Sequence, residues 1–380
     1  MALICFRVWL CALAAAGIAG TAWADPPVTS HDASFSTDGL FKADVADLKD
    51  TRLVAHPDIP LAANQNVLWC GTLQLAWNKA IDLVGEKLHF ANQPPEVDLL
   101  NREDFSSADL DPDSYVAIAD FERNHVEDEI RSALEKTFHG AASPELIPTP
   151  PPHPGPDDFV AYSYLYKNLA FAHPFAENDP LSFGQAQVEN FGFLNDKDSL
   201  DPAVFGQVSI YDYKSPDDFI IKLKTKSPDD ELILAKITPG ATLQETIATV
   251  LQRMAGAQPE TAEERDQLAI PKLNFDLRKH FSELQGLVLE PGPAARLKSK
   301  LVVSDVQQLI RFQLNEKGAV LKSEAVIVMS ATAIMSMGPE PHIMIFDQPF
   351  LVLMKQAKAD QPYFALWVGN ASLLVPAKSP

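Results

Sequence analysis

The sequence predicts an α+β fold, because helical and strand-like segments alternate without the regular βαβ order of parallel sheets. Apolar residues recur at helical spacing in three segments: 72–88, 125–139 and 242–254. Strand-like composition or alternation marks 67–69, 116–121, 159–171, 219–223 and 232–237. The chain of 380 residues is 46% hydrophobic, which is enough to bury a large core.

The first 24 residues resemble a secretory signal peptide. Arg7 precedes the short apolar run 8–18, and Ala22-Trp23-Ala24 provides small residues before a cleavage site. We therefore expect export to the extracellular space, or to the periplasm if the source is a Gram-negative bacterium, with no membrane attachment after cleavage. Residues 25–62 are polar and contain several prolines, so we expect a loose N-terminal arm.

Caps and breakers bound the predicted helices. Thr242 precedes the third helical segment, and Glu245 follows three residues later, as in a capping box. Gly140 ends the second helical segment.

A proline-rich segment follows that second helix. Residues 141–156 contain seven prolines and can form neither a helix nor a central strand. The segment either divides two domains or crosses one domain as an extended strap. The strap is favoured because strand-like sequence resumes at Phe159.

The motif Lys-Ser-Pro-Asp-Asp occurs at 214–218 and again at 226–230. Each copy predicts a turn followed by a strand, so the pair indicates an antiparallel hairpin. We expect the acidic pair Asp229-Asp230 to lie at an exposed loop tip.

Charge and cysteine content exclude several functions. The net charge of −20 repels phosphate backbones, which argues against nucleic-acid binding. Loss of a signal peptide would remove Cys5 and Cys11, leaving Cys70 without an intrachain partner; its apolar neighbours predict a buried, unreactive thiol. Spacings typical of metal sites, nucleophile elbows and nucleotide-binding loops do not occur in the sequence. We expect no catalysis, no metal, no cofactor and a monomeric protein.

Two motifs in the C-terminal third, at 342–354 and 366–369, resemble motifs of the serpin family. The segment His342-Ile-Met-Ile-Phe-Asp-Gln-Pro-Phe-Leu-Val-Leu-Met354 is similar to the family's C-terminal signature, and Leu366-Trp-Val-Gly369 is similar to its last strand. The residues that carry this resemblance are Phe346, Asp347, Pro349, Phe350 and Gly369.

Segments further upstream resemble the family's loop entry. Residues 304–318 are similar to the strand and hinge that lead into its reactive-centre loop, and 270–286 resemble the preceding strand and helix. The hinge residues are Glu316, Lys317, Gly318, Ala319, Val320 and Leu321. The resemblance covers about 63–376 and is weak before residue 150; the strap 141–156 stands where the family has a helix crossing its main sheet.

The resemblance implies a single domain over 63–380. This domain would contain a large, mainly antiparallel central sheet with flanking helices and a smaller, barrel-like C-terminal sheet. It further implies that a loop at about 319–341 is cleaved by an extracellular serine protease and then inserts into the main sheet. The segment after Gly318 and the segment around Pro349-Phe350 are expected to share one sheet.

Family spacing places the cleaved bond at Thr332-Ala333, with Met335-Ser336 and Met337-Gly338 as alternatives. Small or Met residues there suit an elastase-like or chymotrypsin-like protease. In an inserted strand, alternation would direct Ala319, Leu321 and Ser323 toward the core.

Two features oppose efficient insertion. Leu321 is bulky where inhibitory serpins favour small residues, and the uncharged run 325–337 would be safer if it were already paired within a sheet. The run also matches an ordinary buried strand. Two functions therefore remain open: a protease inhibitor that acts by loop insertion, and a non-inhibitory serpin-fold binding or structural module.

Overall fold

The structure is a computed structural model that describes residues 39–140, 144–147, 155–194, 201–290, 292, 300–320 and 340–378. The predicted signal peptide, Leu321 and the predicted cleavage positions Thr332, Ala333, Met335, Ser336 and Met337 lie outside these residues, as does most of the proline-rich segment. The fold class is α+β, as predicted.

The described helices are α1 (Thr72–Val84), α2 (Pro95–Leu100), α3 (Val126–Phe138) and α4 (Leu243–Ala255). The strands of the N-terminal half are β1 (Phe41–Asp44), β2 (Thr51–Leu53), β3 (Asn66–Cys70), β4 (Tyr115–Phe121), β5 (Phe159–Leu165), β6 (Asn168–Ala170), β7 (Ala176–Glu177), β8 (Leu181–Phe183), β9 (Ala186–Val188) and β10 (Asn190–Phe193). Those that follow are β11 (Val208–Ser215), β12 (Asp218–Leu223), β13 (Asp230–Lys236), β14 (Glu260–Thr261), β15 (Gln267–Pro271), β16 (Leu273–His280), β17 (Gln307–Asn315), β18 (Gly318–Val320), β19 (Ile343–Ile345), β20 (Phe350–Gln356) and β21 (Pro362–Val368).

The three predicted helices are confirmed as α1, α3 and α4. Thr242 caps α4, because its hydroxyl accepts a hydrogen bond from the amide of Glu245 at 3.1 Å. Helix α1 ends at Val84 instead of the predicted Leu88, because Gly85 adopts a left-handed φ of 89°. The predicted hairpin of the repeated motif is confirmed as β12–β13.

Most strands lie in two sheets. The eight-stranded sheet has the order β14-β11-β12-β13-β20-β21-β3-β2, and the five-stranded sheet has the order β1-β16-β17-β18-β6. A four-stranded sheet, β19-β15-β10-β7, and the pairs β4-β5 and β8-β9 complete the described strands.

The two main sheets share one hydrophobic core, in which Phe312 of β17 stacks on Phe364 of β21 with ring centroids 4.7 Å apart. A second, smaller cluster lies between α3 and the β4–β5 pair and contains Val116, Val126, Ile130, Leu134, Phe138 and Tyr162. The core therefore has a main part and a satellite part.

The expectation of a loose arm over 25–62 is wrong from residue 41 onward. Strand β1 pairs in parallel with β16, and β2 pairs in parallel with β3. Leu53 is 1% exposed, so this segment belongs to the core. Strands of three or four residues leave too little alternation to be recognised in a sequence.

The expectation of one shared sheet is also wrong. Strand β18, which follows the hinge, lies in the five-stranded sheet, whereas β20, which starts at Phe350, lies in the eight-stranded sheet. Strands β20 and β21 thus belong to the eight-stranded sheet, whereas β19 belongs to the smaller four-stranded sheet. The two segments are joined through core packing between sheets and not through strand pairing.

Candidate functional site

The predicted hinge forms a tight turn at the end of β17. Lys317 donates its backbone amide to the side-chain oxygen of Asn315 at 3.0 Å, an arrangement that favours chain reversal. Strand β18 then runs back antiparallel to β17, with Ala319 opposite Leu314. Glu316 and Lys317 occupy the turn, and 318–320 begin the next strand.

Strand β18 lies between β17 and β6. It pairs antiparallel with both, so β6 and β17 run parallel to each other on its two sides. Ala319 is fully buried, which matches the core-facing side predicted for it. Ala319 and Val320, the first two residues of the predicted loop, therefore already belong to an inner strand of the five-stranded sheet.

Only glycine fits at the start of β18. Gly318 has a φ of +147°, in the range that favours glycine. A Cβ atom at this position would lie 2.6 Å from the carbonyl oxygen of Leu169 and 2.7 Å from the Cα of Ala170. The sheet spacing between β18 and β6 depends on this residue.

An ionic cluster around Lys272 holds the hinge turn. The Lys272 ammonium lies 3.0 Å from Glu316, pairs closely with Glu177, and is 3.7 Å from Glu189. Burial disfavours the charged lysine, but Glu177 and Glu316 outweigh this effect and raise the pKa of Lys272 above its ordinary value. The same contact lowers the pKa of Glu177.

Backbone hydrogen bonds reinforce this attachment. The amide of Phe175 donates to the carbonyl of Glu316 at 2.8 Å, and the amide of Phe171 donates to the carbonyl of Lys317 at 2.9 Å. The turn is thus fixed to the segment that follows β6. The sequence contained no local signal for this cluster, because its members come from four separate parts of the chain.

Further from the hinge, the amino end of α1 bridges β5 and β17. Ser163 of β5 donates its hydroxyl to the carbonyl of Thr72, and Gln308 of β17 donates to the Thr72 hydroxyl at 2.8 Å. Among the described strands, β5 pairs only with β4, and residues 307–312 of β17 pair only with β16. A strand continuing from β18 would enter between β5 and this part of β17.

Of the signature residues, Phe346 and Phe350 contribute to packing, whereas Pro349 is exposed. Phe346 and Phe350 are fully buried and pack edge to face at 5.1 Å. Asp347 accepts a hydrogen bond at 2.6 Å from the buried ammonium of Lys236.

Gly369 is fixed by contact with the chain before β3. Its amide donates to the side-chain oxygen of Asn66 at 2.9 Å, and a Cβ atom on Gly369 would lie 2.1 Å from the carbonyl oxygen of Gln65. This close approach explains the glycine.

The expectation that Asp230 lies at an exposed loop tip is wrong. Its side chain is 5% exposed, forms an ion pair with Lys167 at 3.0 Å, and accepts hydrogen bonds from Gln356 and Tyr363. Burial, together with the charge of Asp230, raises the pKa of Tyr363. The partners lie more than 60 positions away in the sequence, so the motif alone could not reveal them.

The predicted character of Cys70 is confirmed. Its side chain is buried, and burial raises the pKa of the thiol. Across the described ranges, no three His, Cys, Asp or Glu side chains are grouped to hold a metal ion. Within the same ranges, no helix is both long enough and apolar enough to cross a membrane.

A cleft of about 500 Å³ opens beside the start of β20. Its walls include Leu61, Ile237, Pro239, Pro349 and Trp367. Such a volume lies within the range of small-molecule sites.

Comparison with protein-family models and with curated protein sequences finds no match. Among solved structures, the chain is similar to thyroxine-binding globulin in complex with thyroxine, at 15% identity and a TM-score of 0.39, over 65% of each chain. It is also similar to human thyroxine-binding globulin, at 14% identity and a TM-score of 0.37, over 65% of this chain and 64% of the other. The chain thus spans slightly less than two thirds of the structures that it matches.

At these identities and TM-scores, the likeness assigns neither a family nor a function to this chain.

Proposed function

We propose that the protein is a secreted, serpin-like inhibitor of serine proteases that acts by cleavage and insertion of the loop at about 319–341. The observation that carries this proposal is the position of β18. Its three residues already lie as an inner strand between β6 and β17. In this proposal, the residues after Val320 enter between β5 and residues 307–312 of β17.

Insertion gains backbone hydrogen bonds along both neighbouring strands. On the β17 side alone, residues 307–312 provide six residue positions with which an inserted strand could pair. At a net contribution of about 1 kcal/mol for each hydrogen bond, a fully inserted strand stabilises the protein by several kcal/mol. Burying Leu321 against a core that fits a smaller residue would offset about 1–3 kcal/mol of this gain.

Cleavage is the step that makes insertion possible. The intact loop is attached to the fold at both ends, at Gly318 and at β19. The whole loop therefore cannot insert into the sheet as a strand before it is cut. A cut within 329–338 releases the amino-terminal portion. A protease still attached to that portion as an acyl-enzyme would be drawn along with it; Thr332-Ala333, Met335-Ser336 and Met337-Gly338 are the proposed bonds.

The test combines a protease panel with thermal unfolding. Incubation with elastase-like and chymotrypsin-like proteases should give a complex that survives SDS, and nicking of the loop should raise Tm strongly. A loop that is cut with neither a complex nor a gain in Tm would contradict the proposal. N-terminal sequencing of exported protein tests secretion, with Asp25 expected as the first residue.

A matched pair of variants makes the test specific for insertion. Ser323→Glu places a carboxylate on the side predicted to face the core, whereas Lys322→Glu places it on the side predicted to face solvent. Only the first should abolish the gain in Tm after nicking. Equal effects of the two variants would contradict insertion as a strand.

The second candidate function is a non-inhibitory binding module, and the cleft of about 500 Å³ favours it. Its lining combines apolar residues such as Ile237 and Trp367 with the charged residues Asp217 and Lys236, so it fits a small, mainly apolar ligand that carries a polar group. Quenching of tryptophan fluorescence by such ligands, lost in Trp367→Phe, would support this function. Absence of binding by any apolar ligand tested would contradict it.

A further inference from the structure

The proline-rich strap contacts the outer face of the five-stranded sheet through Glu145. The carboxylate of Glu145 lies 2.6 Å from the guanidinium of Arg311 on β17 and 3.8 Å from that of Arg278 on β16. Arg311 also pairs with Asp276 at 2.6 Å. The neighbouring side chains of Phe312 and Leu277 face the core, so these charges lie on the opposite face.

Two residues further along, the strap contacts a different body. Ile147 packs against the satellite cluster formed by α3 and the β4–β5 pair. That cluster is distinct from the main core, although the other face of the β4–β5 pair packs on the main core through residues such as Ala117 and Ala161. Residues 145–147 therefore add an ionic attachment between the α3–β4–β5 unit and strands β16 and β17.

The length of this link sets a limit on movement. Two residues of chain span at most about 7 Å when fully extended. Inserting one more strand between β5 and β17 would widen their separation by about 4.8 Å. Glu145 and Ile147 cannot both keep their contacts through such a movement.

From this geometry we propose that Glu145 is a clasp that holds the α3–β4–β5 body against β16–β17 and so regulates how readily the sheet opens. The functional consequence, slower loop insertion, rests on the proposed inhibitor function. The clasp itself is a property of the intact protein. Its closing contact is ionic, so salt as well as substitution should release it.

The test compares Glu145→Gln with Glu135→Gln, which makes the same change of charge on the exposed side of α3. Amide hydrogen exchange is measured on the intact protein. In Glu145→Gln, the amides of β5 and of residues 307–312 should exchange about 2–5-fold faster, the size expected for loss of a partly exposed ion pair. Raising NaCl from about 0.05 M to about 0.5 M should accelerate exchange in the unmodified protein and have little effect in Glu145→Gln.

Unchanged exchange in Glu145→Gln, or the same change in Glu135→Gln, would overturn the clasp. The exchange readout needs no cleavage. If nicking produces no gain in Tm, the proposed inhibitor function is contradicted. The hydrogen-exchange comparison on the intact protein still tests the clasp. If nicking does produce insertion, the rate at which nicked protein reaches its higher Tm should also rise about 2–5-fold in Glu145→Gln. An unchanged rate would show that the clasp does not control insertion.

Discussion

Substitution of Gly318 by alanine tests whether the backbones of β18 and β6 pack as closely as the structure shows. The φ of +147° is unfavourable for any residue with a Cβ atom and costs about 1–3 kcal/mol. The new methyl group would also lie 2.6 Å from the carbonyl oxygen of Leu169, and overpacking of this kind costs about 1–3 kcal/mol. We expect Gly318→Ala to lower the free energy of unfolding by about 2–6 kcal/mol in total.

Chemical denaturation measures this change, and Gly140→Ala serves as its control. Gly140 also has a positive φ, +84°, but no atom lies within 4 Å of a Cβ placed there. Gly140→Ala therefore reports backbone strain without a close contact, and the additional loss in Gly318→Ala reports the greater strain at its φ together with the close approach of β18 to β6. If the two variants lose equal stability, β18 is not packed against β6 as described, and the reasoning is refuted.

Three further variants test the charges and the buried histidine. Glu316→Gln should lower the free energy of unfolding by about 1–2 kcal/mol, because Lys272 loses one of its carboxylate partners. Asp347→Asn should cost a similar amount, about 1–3 kcal/mol, since the buried Lys236 ammonium loses its closest charged partner. Burial lowers the pKa of His56 below 6.5, so its contribution to stability is complete above pH 6.5 and is lost as the pH falls; His56→Gln should reduce this loss on the acid side.

Each of these variants has an exposed counterpart as its control. Glu290→Gln, Asp360→Asn and His89→Gln make the same chemical changes at exposed positions and should leave stability within about 0.5 kcal/mol of the unmodified protein. Denaturant unfolding, repeated between about pH 5 and 8 for the histidine pair, measures all six. If a control variant loses as much stability as the variant with which it is paired, the stability assigned to that charge or histidine is contradicted.

Local features of the sequence predicted the local structure well. Helix α4 followed from its spacing and its Thr242 cap, and the β12–β13 hairpin followed from the repeated turn motif. In these elements, the residues that determine the structure are close together in the chain. The burial of Phe346 and Phe350 likewise agrees with the apolar pattern around them.

Features that depend on distant residues could not be predicted. Lys272 meets Glu177, Glu189 and Glu316 only because β7, β10 and the hinge turn converge in the fold. The burial of Asp230 depends on Tyr363, which is 133 positions away. Neither association leaves a pattern of spacing in the sequence.

The candidate site falls between these two cases. Its residues, from Glu316 to Val320, were recognised from their resemblance to a family motif, and the structure places them in one turn and one short strand. The pairing of that strand on both sides was not predictable, because it requires the positions of β6 and β17.

Amide hydrogen exchange of loop-nicked protein, compared with the intact form, tests the central claim most directly. The account predicts that cleavage within 329–338 gives new protection to amides of residues 307–312 in β17 and of β5, because an inserted strand would pair with both. Protection that stays the same in both segments after complete cleavage would contradict insertion at this place.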